Sequence, residues 1–402
     1  MITVTEAEEI IKNSIKHFDE LDSEMLSLGN SLGRILAEDI YPERSLPPFN
    51  RATMDGYAIR LNKDKPLPAQ FEIKGTQYAG KPKETNISDQ ECIEIMTGAV
   101  IPSGLNCVIP IERTHLTNDQ IEIHKNYIPR RFQYIHQEGT DINISERLLS
   151  IGEKIDVPDL LSLAASGQEN IKVKRLPRIA LFVTGDEIKP IGEPIELHEI
   201  RSTSQYGIEG AIKKIFLSNI TINTLGDNFN DLESSINKSI TSHDIIILTG
   251  GVSMGKKDHV KNIIANLPDF SGFHKVLQKP GLPFMFAGSN NGQLIFGLPG
   301  NPVSSMICLY RYIIPAIKIL IGQSSSENKL VKLTEKVTSP SDLSYFLPVK
   351  LLNAGDHIVK AKPLPTNTSG DFITLAKSDG FIEISPASQT NLLNALYPFT
   401  SW

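Results

Sequence analysis

The sequence predicts a multidomain α/β protein: a central doubly wound α/β domain, a helical base with an inserted small β module, and a C-terminal β domain. Three observations predict it. Between residues 178 and 324, short apolar runs alternate with helical stretches, the text of βαβ units around a parallel sheet. Strand-like runs over 44–142 are flanked on both sides by helical text, as an insertion would be. After residue 325 the text returns to short strands. At 402 residues the chain also exceeds what one ordinary core fills.

Taken in order, residues 1–43 read as two helices separated by a turn, with Thr5 and Glu8 as a capping box for the first. YPERSLPPFNRATMDGYAIR breaks that pattern with proline and turn residues. FEIKGTQYAG, CIEIMTGAVIP, CVIPIERT and QIEIHK then supply the β module of 44–142. Helical text resumes near 157–167, with Pro158 in the first turn and Gly167 as a C-terminal cap. Residues 143–177 thereby rejoin 1–43 as the base. IALFVT (179–184), ITINTL (220–225), DIIILT (244–249) and HKVLQ (274–278) read as buried strands, with helices over 204–218, 230–242 and 257–266. PFMFAG and QLIFGLPG add two strands around Asn290-Asn291-Gly292, and PVSSMICLYRYIIPAIKIL is a long closing helix. The central domain is thus 178–324. VKLTEKV, FLPVKLL, HIVKAKPL and GFIEISP make the tail domain of 325–402.

Composition excludes several functions. A net charge of −6 offers no global attraction for nucleic acid or an anionic membrane. No basic-aromatic interleaving of the nucleic-acid type occurs, and the apolar runs fall short of a membrane span. Cys92, Cys107 and Cys308 form no CxxC pair and cannot all pair with one another. That argues against a disulfide framework or thiolate zinc site and fits a reducing cytoplasm.

In a parallel sheet, ligands bind at the carboxyl ends of the strands. Here those ends are chemically loaded. IALFVT runs into Gly185-Asp186-Glu187, ITINTL into Gly226-Asp227, and DIIILT into Gly250-Gly251 with Asp258 shortly after. The stretch ILTGGVSMGKKDHV matches GxxxxGK, yet Lys257 stands where a Walker loop needs a hydroxyl for its metal. The reading is therefore a different phosphate site, with Gly250, Gly251 and Ser253 facing an oxyanion and a carboxylate holding the metal. Lys275 and Lys279 bracket HKVLQ. In GLPGNPVSS, Pro299 precedes Asn301 as N-cap, Pro302 at the first helical position and Ser304 in the first turn. Carboxylates beside phosphate-binding loops suit Mg²⁺, which takes few protein ligands together with substrate phosphates.

NRATMDGYAIR (50–60), MTGAVIPSG (96–104), TGDEI (184–188), TGGVSMGKKDHV (249–260), KPG (279–281) and LPGNPVSS (298–305) occur in the order and spacing of one family. The chain resembles, over essentially its whole length, the molybdopterin molybdenumtransferases, the MoeA family that includes the E domain of gephyrin. The resemblance implies a central domain with the fold of the Mog-type adenylylating enzymes and an elongated homodimer of four-domain protomers. It also implies insertion of molybdate into adenylylated molybdopterin with release of AMP and a need for Mg²⁺. By motif, Glu187, Asp227, Asp258, Lys275 and Lys279 fall on family active-site positions. Asp55 and Thr97 do so from the partner subunit, and Ser369 in TSGD is the tail's contact to the oxyanion. Glu187 and Asp258 are the expected Mg²⁺ ligands. Asp227 or Asp258 binds the metal or positions water, and the residues alone leave those two roles open. Contact with a Mog-type adenylyltransferase is a further implied partnership; nucleic acid and membrane are not.

Three departures from the family pattern stand out. Leu282 replaces a second lysine of KPGKP, the loop before Gly139-Thr140-Asp141 reads IHQEG rather than arginine-rich, and YFLPVKL offers Lys350 where the tail usually has arginine. They keep two other readings in view: a pterin-binding or scaffold homologue without turnover, and adenylyl transfer of the Mog type.

Overall fold

The computed structural model describes residues 1–16, 22–82, 86–216, 220–252, 259–323, 329–338, 342–352, 359–386 and 395–402. Its centre is a six-stranded sheet in the order Ile220–Leu225, Ile179–Thr184, Ile245–Thr249, Leu294–Leu298, Met285–Ser289 and Phe270–His274. The first four strands are parallel, and Met285–Ser289 runs antiparallel to both its neighbours, Leu294–Leu298 and the edge strand Phe270–His274. Strands 179–184, 245–249 and 294–298 are buried along their whole length, as strands covered on both faces must be. Their alternate residues feed two separate cores. Leu181 and Ile247 pack with helix Ser204–Phe216 and the Pro302–Leu320 run; Phe182 and Ile246 pack with Phe229–Ile240 and His259–Ala265. The sheet is doubly wound.

Strand 179–184 lies between 220–225 and 245–249. The chain therefore leaves it to one side and returns on the other, which opens a crevice at the carboxyl ends of 179–184 and 245–249.

The β module is a six-stranded sheet in the order Cys107–Pro110, Gly56–Ile59, Glu91–Ile95, Gln70–Gln77, Gln120–Ile123 and Thr114–Thr117. In the tail, Ser344–Leu352, Lys360–Pro363, Lys329–Leu333, Leu396–Ser401 and Gly380–Ile384 follow one another, and pairing of the first with the last closes the ring. A sixth strand, Gln278–Lys279, is lent to this ring by the central domain.

Several expectations are corrected. Among the described residues no second α-helix precedes residue 43: Ser23–Ser27 is a strand paired antiparallel with Asn170–Lys174, followed by a single 3-10 turn at Leu28–Asn30. Leu26 in the strand and Leu28 just after it pack on a cluster with Leu163, Ile171 and Val173, an apolar pair at period two that an extended chain puts on one face. The capping box lies two residues earlier than Thr5 and Glu8. Thr3 N–H donates to Glu6 at 2.7 Å and Glu6 N–H to Thr3 Oγ1 at 3.2 Å. The helix Val4–Lys16 then buries Val4, Ala7, Ile11 and Ile15 against the central core.

HKVLQ is not one strand. Phe270–His274 ends at Lys275, whose φ of +73° turns the chain out of the central sheet, and Gln278–Lys279 then joins the tail. The closing helix passes through a π turn at Leu309–Ile313 just before Pro315, whose ring and missing N–H do not fit an α ladder. By length and composition Pro302–Leu320 is apolar enough to cross a membrane, contrary to the reading of the runs. Yet 72% of its apolar window is buried inside the fold, and it serves as a core helix.

Candidate active site

At the crevice the backbone at Gly250 is packed too closely for a side chain. Thr184 Oγ donates to the Thr249 carbonyl at 3.1 Å, stitching the two strand ends together. Gly250 follows with φ +92°, and its N–H donates to the Leu298 carbonyl at 3.1 Å. A Cβ on Gly250 would stand 2.8 Å from the Thr184 carbonyl oxygen, and one on Gly300 would stand 3.8 Å from the Gly250 Cα. Three strand ends therefore converge on glycine backbone, the arrangement that presents amides to an oxyanion. Gly251 continues it with φ +65°. Ser253 and Asp258 lie outside the described residues.

The carboxylates occupy the neighbouring ends. Asp186 accepts from the Asp227 N–H at 3.0 Å, tying the 185–187 loop to the 226–227 loop. The Glu187 carboxylate curls over Gly185, where a Cβ would meet both of its oxygens at 2.9 Å. Glu187 is exposed and Asp227 half-buried. Among the described residues neither has a salt-bridge partner, and no three His, Cys, Asp or Glu side chains form a metal cluster. Two unpaired carboxylates beside an oxyanion cradle match what Mg²⁺ needs when phosphate supplies the remaining ligands.

Lys275 and Lys279 are brought to one segment. Lys275 is half-buried; its N–H donates to the Phe284 carbonyl at 3.0 Å and its carbonyl accepts from Ile2 N–H at 3.2 Å. Lys279 is exposed. At the start of the 302–320 run the structure corrects the sequence: Asn301 does not cap the helix with its side chain. Its Nδ2 donates instead to Ser369 Oγ at 2.8 Å, and the Val303 N–H donates to the Ser369 carbonyl at 3.2 Å. The tail's Ser369 thus occupies part of the helix N-terminus that the sequence offered wholly to an anion. Ser304 is only 3% exposed and Pro299 is buried, while Asn301 is exposed and Pro302 and Ser369 are half-buried. Nothing local in the sequence signals the Asn301–Ser369 bond, since the two residues meet only through tertiary packing.

In the β module, one Asp55 carboxylate oxygen accepts from both Thr97 N–H and Thr97 Oγ at 2.7 Å. These bonds, the amide's first, hold its carboxyl below the usual range. Among the described residues no hydrogen bond or salt bridge links this module to the central sheet. Beside the pair, Arg51 contacts His136 Nδ1 at 3.2 Å and Asp141 contacts Nε2 at 2.9 Å. A guanidinium only donates, so Nδ1 is the acceptor and Nε2–H faces Asp141. His136 and Arg51 thereby supply order to the loop that lacks arginines. Lys350, offered where the tail usually has arginine, pairs with Asp379 at 2.5 Å.

Known proteins resemble the chain along its length. Family models match in three consecutive blocks: the MoeA N-terminal region (domain I and II) over residues 2–167, a probable molybdopterin binding domain over 180–319, and the MoeA C-terminal region (domain IV) over 331–391. A molybdopterin molybdenumtransferase of Synechocystis is 32% identical over 403 aligned positions, covering 100% of both chains. One from Haemophilus influenzae is 32% identical over 75% of this chain and 74% of its own. The crystal structure of a molybdopterin biosynthesis MoeA protein from Pyrococcus superposes with a TM-score of 0.82 at 27% identity, covering 100% of this chain and 99% of that one. With glycine backbone, carboxylates and lysines gathered at one rim, and with relatives matched from end to end, the chain belongs to the molybdopterin molybdenumtransferase family.

Proposed function

We propose that the chain inserts molybdate into adenylylated molybdopterin, releasing AMP and yielding the molybdenum cofactor. The observation that carries this reading is the convergence of Thr184, Gly250 and Gly300 backbone beside the Glu187 and Asp227 carboxylates. The Gly251 amide, with Lys275 and Lys279, holds the pyrophosphate of the adenylylated pterin, while the Gly250 amide, bonded to the Leu298 carbonyl, fixes the loop that presents it. Asn301 and Ser369 at the 302–320 helix start, with Lys279, receive the molybdate dianion, and Ser304 lies buried behind them. Glu187, with Asp258, would hold Mg²⁺, which offsets negative charge as the phosphoanhydride breaks. Asp227 orients the water that attacks phosphorus, and AMP leaves with the new oxygen.

The same reading divides the chain into four domains, 1–43 with 143–177, 44–142, 178–324 and 325–402. It makes the active molecule a cytoplasmic homodimer that takes its substrate from a Mog-type adenylyltransferase. The Asp55–Thr97 pair would then reach the rim from a second copy, which is supported by the absence of a bond between module and rim within the described chain.

Two experiments test it. EDTA abolishes AMP release from adenylylated molybdopterin and Mg²⁺ restores it; release that survives EDTA contradicts the metal role. Asp55→Ala and Asp227→Asn are each inactive, but mixed and allowed to exchange subunits they regain up to about a quarter of wild-type activity. No recovery on mixing removes the shared site.

A further inference from the structure

We infer that Gln278 is the residue that positions Lys279 for the anionic substrate, through a buried amide network anchored in the Pro302–Leu320 helix. The inference rests on the reading of the rim given above.

Gln278 is 0% exposed, a rare place for an amide unless its polar atoms are satisfied. They are. Its Oε1 accepts from the Tyr312 hydroxyl. Its Nε2 donates to the Pro280 carbonyl at 3.1 Å and to Cys308 Sγ at 3.4 Å, using both amide hydrogens. One side chain therefore joins the long helix to the Lys279-Pro280-Gly281 turn and closes that turn from inside. Gly281 has φ +97°, and a Cβ there would lie 2.6 Å from Gln278 Nε2 and 2.8 Å from Cys308 Sγ. The turn's backbone is thus seated directly on the amide.

Its anchor is rigid. Tyr312 is 2% exposed and stacks on Phe284 with ring centroids 4.6 Å apart. On the outer side, Gln278–Lys279 pairs with Ser344–Tyr345 of the tail, and Ser344 N–H donates to the Leu277 carbonyl at 3.0 Å. Lys279, exposed between these two anchors, has its backbone fixed from both sides. Such preorganisation is what an ammonium needs to hold a phosphate without first paying for order.

The chemistry is specific to glutamine. Methionine fills the space but leaves the Tyr312 hydroxyl and Pro280 carbonyl unpaired in an apolar interior. Glutamate keeps the Tyr312 bond but sets an acceptor against the Pro280 carbonyl.

The test compares Gln278→Met, Lys279→Ala and the double variant of the full chain. The readouts are KM for adenylylated molybdopterin, kcat for AMP release, and the thermal midpoint. The expected result is a KM raised about tenfold by Gln278→Met with kcat within about twofold, and about thirtyfold by Lys279→Ala. The double variant then matches Lys279→Ala within about twofold, since both changes remove the same interaction. Should Gln278→Met fold poorly, Tyr312→Phe removes one bond of the network, and its smaller KM rise disappears in the Lys279→Ala background. A double variant whose losses multiply, or a Gln278→Met protein with a lowered thermal midpoint and unchanged KM, overturns the inference. A Lys279→Ala protein with unchanged KM overturns the reading of the rim itself, and the inference with it.

Discussion

The two ends of the central sheet are built for opposite purposes. At the amino end, Asp244 precedes strand 245–249 and accepts from Arg175 at 2.8 Å and from the Arg178 N–H at 2.6 Å, with the Arg178 guanidinium at 3.2 Å. Burial alone would raise its pKa, but two guanidiniums and an amide outweigh that and hold it at about 2. Both arginines there are paired with Asp244. At the carboxyl end, Glu187, Asp227 and Lys279 have no ion-pair partner among the described residues, and glycine replaces side chains. One end fastens adjacent strands with ion pairs, whereas the other carries charges without such pairing.

The contrast breaks first at the rim. Asp227→Asn and Glu187→Gln should each slow AMP release by about a hundredfold or more while leaving the thermal midpoint nearly unchanged. Equal losses of stability and activity would make the rim structural. Gly250→Ala should cost activity and stability together, because its Cβ would be driven to 2.8 Å from the Thr184 carbonyl at φ +92°. A Gly250→Ala protein with full activity would show that the crevice is looser than its backbone indicates.

At the amino end the prediction reverses. Asp244→Asn should lower stability at neutral pH by about 2 kcal/mol, read from denaturant midpoints, with kcat per folded molecule within twofold. The sign follows from a depressed folded pKa. The carboxylate's contribution is complete above the unfolded value near 4 and is lost as pH falls toward about 2. Wild type should therefore lose more stability than Asp244→Asn across that window, the two acid legs converging as pH falls; parallel acid legs for the two proteins would exclude the clamp. The smallest effect belongs to Lys350→Ala, whose exposed pairing with Asp379 predicts less than a twofold change in molybdate-dependent turnover.

Legibility in the sequence follows the same division. Strands 179–184 and 220–225 carry the expected bounds, and 245–249 differs by one residue, because unbroken apolar runs between turns leave few alternatives. The glycine-acid strand ends were readable for the same local reason. What failed depended on distant partners. Ser23–Ser27 is a strand only because Asn170–Lys174 lies beside it. HKVLQ divides between two sheets at a left-handed Lys275 that no local pattern marks. Asn301 had the residue type of a cap, and its side chain was claimed by Ser369 from the tail. Gln278 looked like any polar residue at a strand end until Tyr312 and Pro280 enclosed it. Local periodicity records local structure, and the positioning of the lysines is a tertiary property.

The most direct test of the account is incubation of the purified chain with adenylylated molybdopterin, molybdate and Mg²⁺, following AMP and the reconstitution of a molybdenum-free apoenzyme. The account predicts AMP and active cofactor appearing together, in equal amounts, and only when molybdate and Mg²⁺ are both present. Absence of both products from a folded, substrate-binding protein would contradict it.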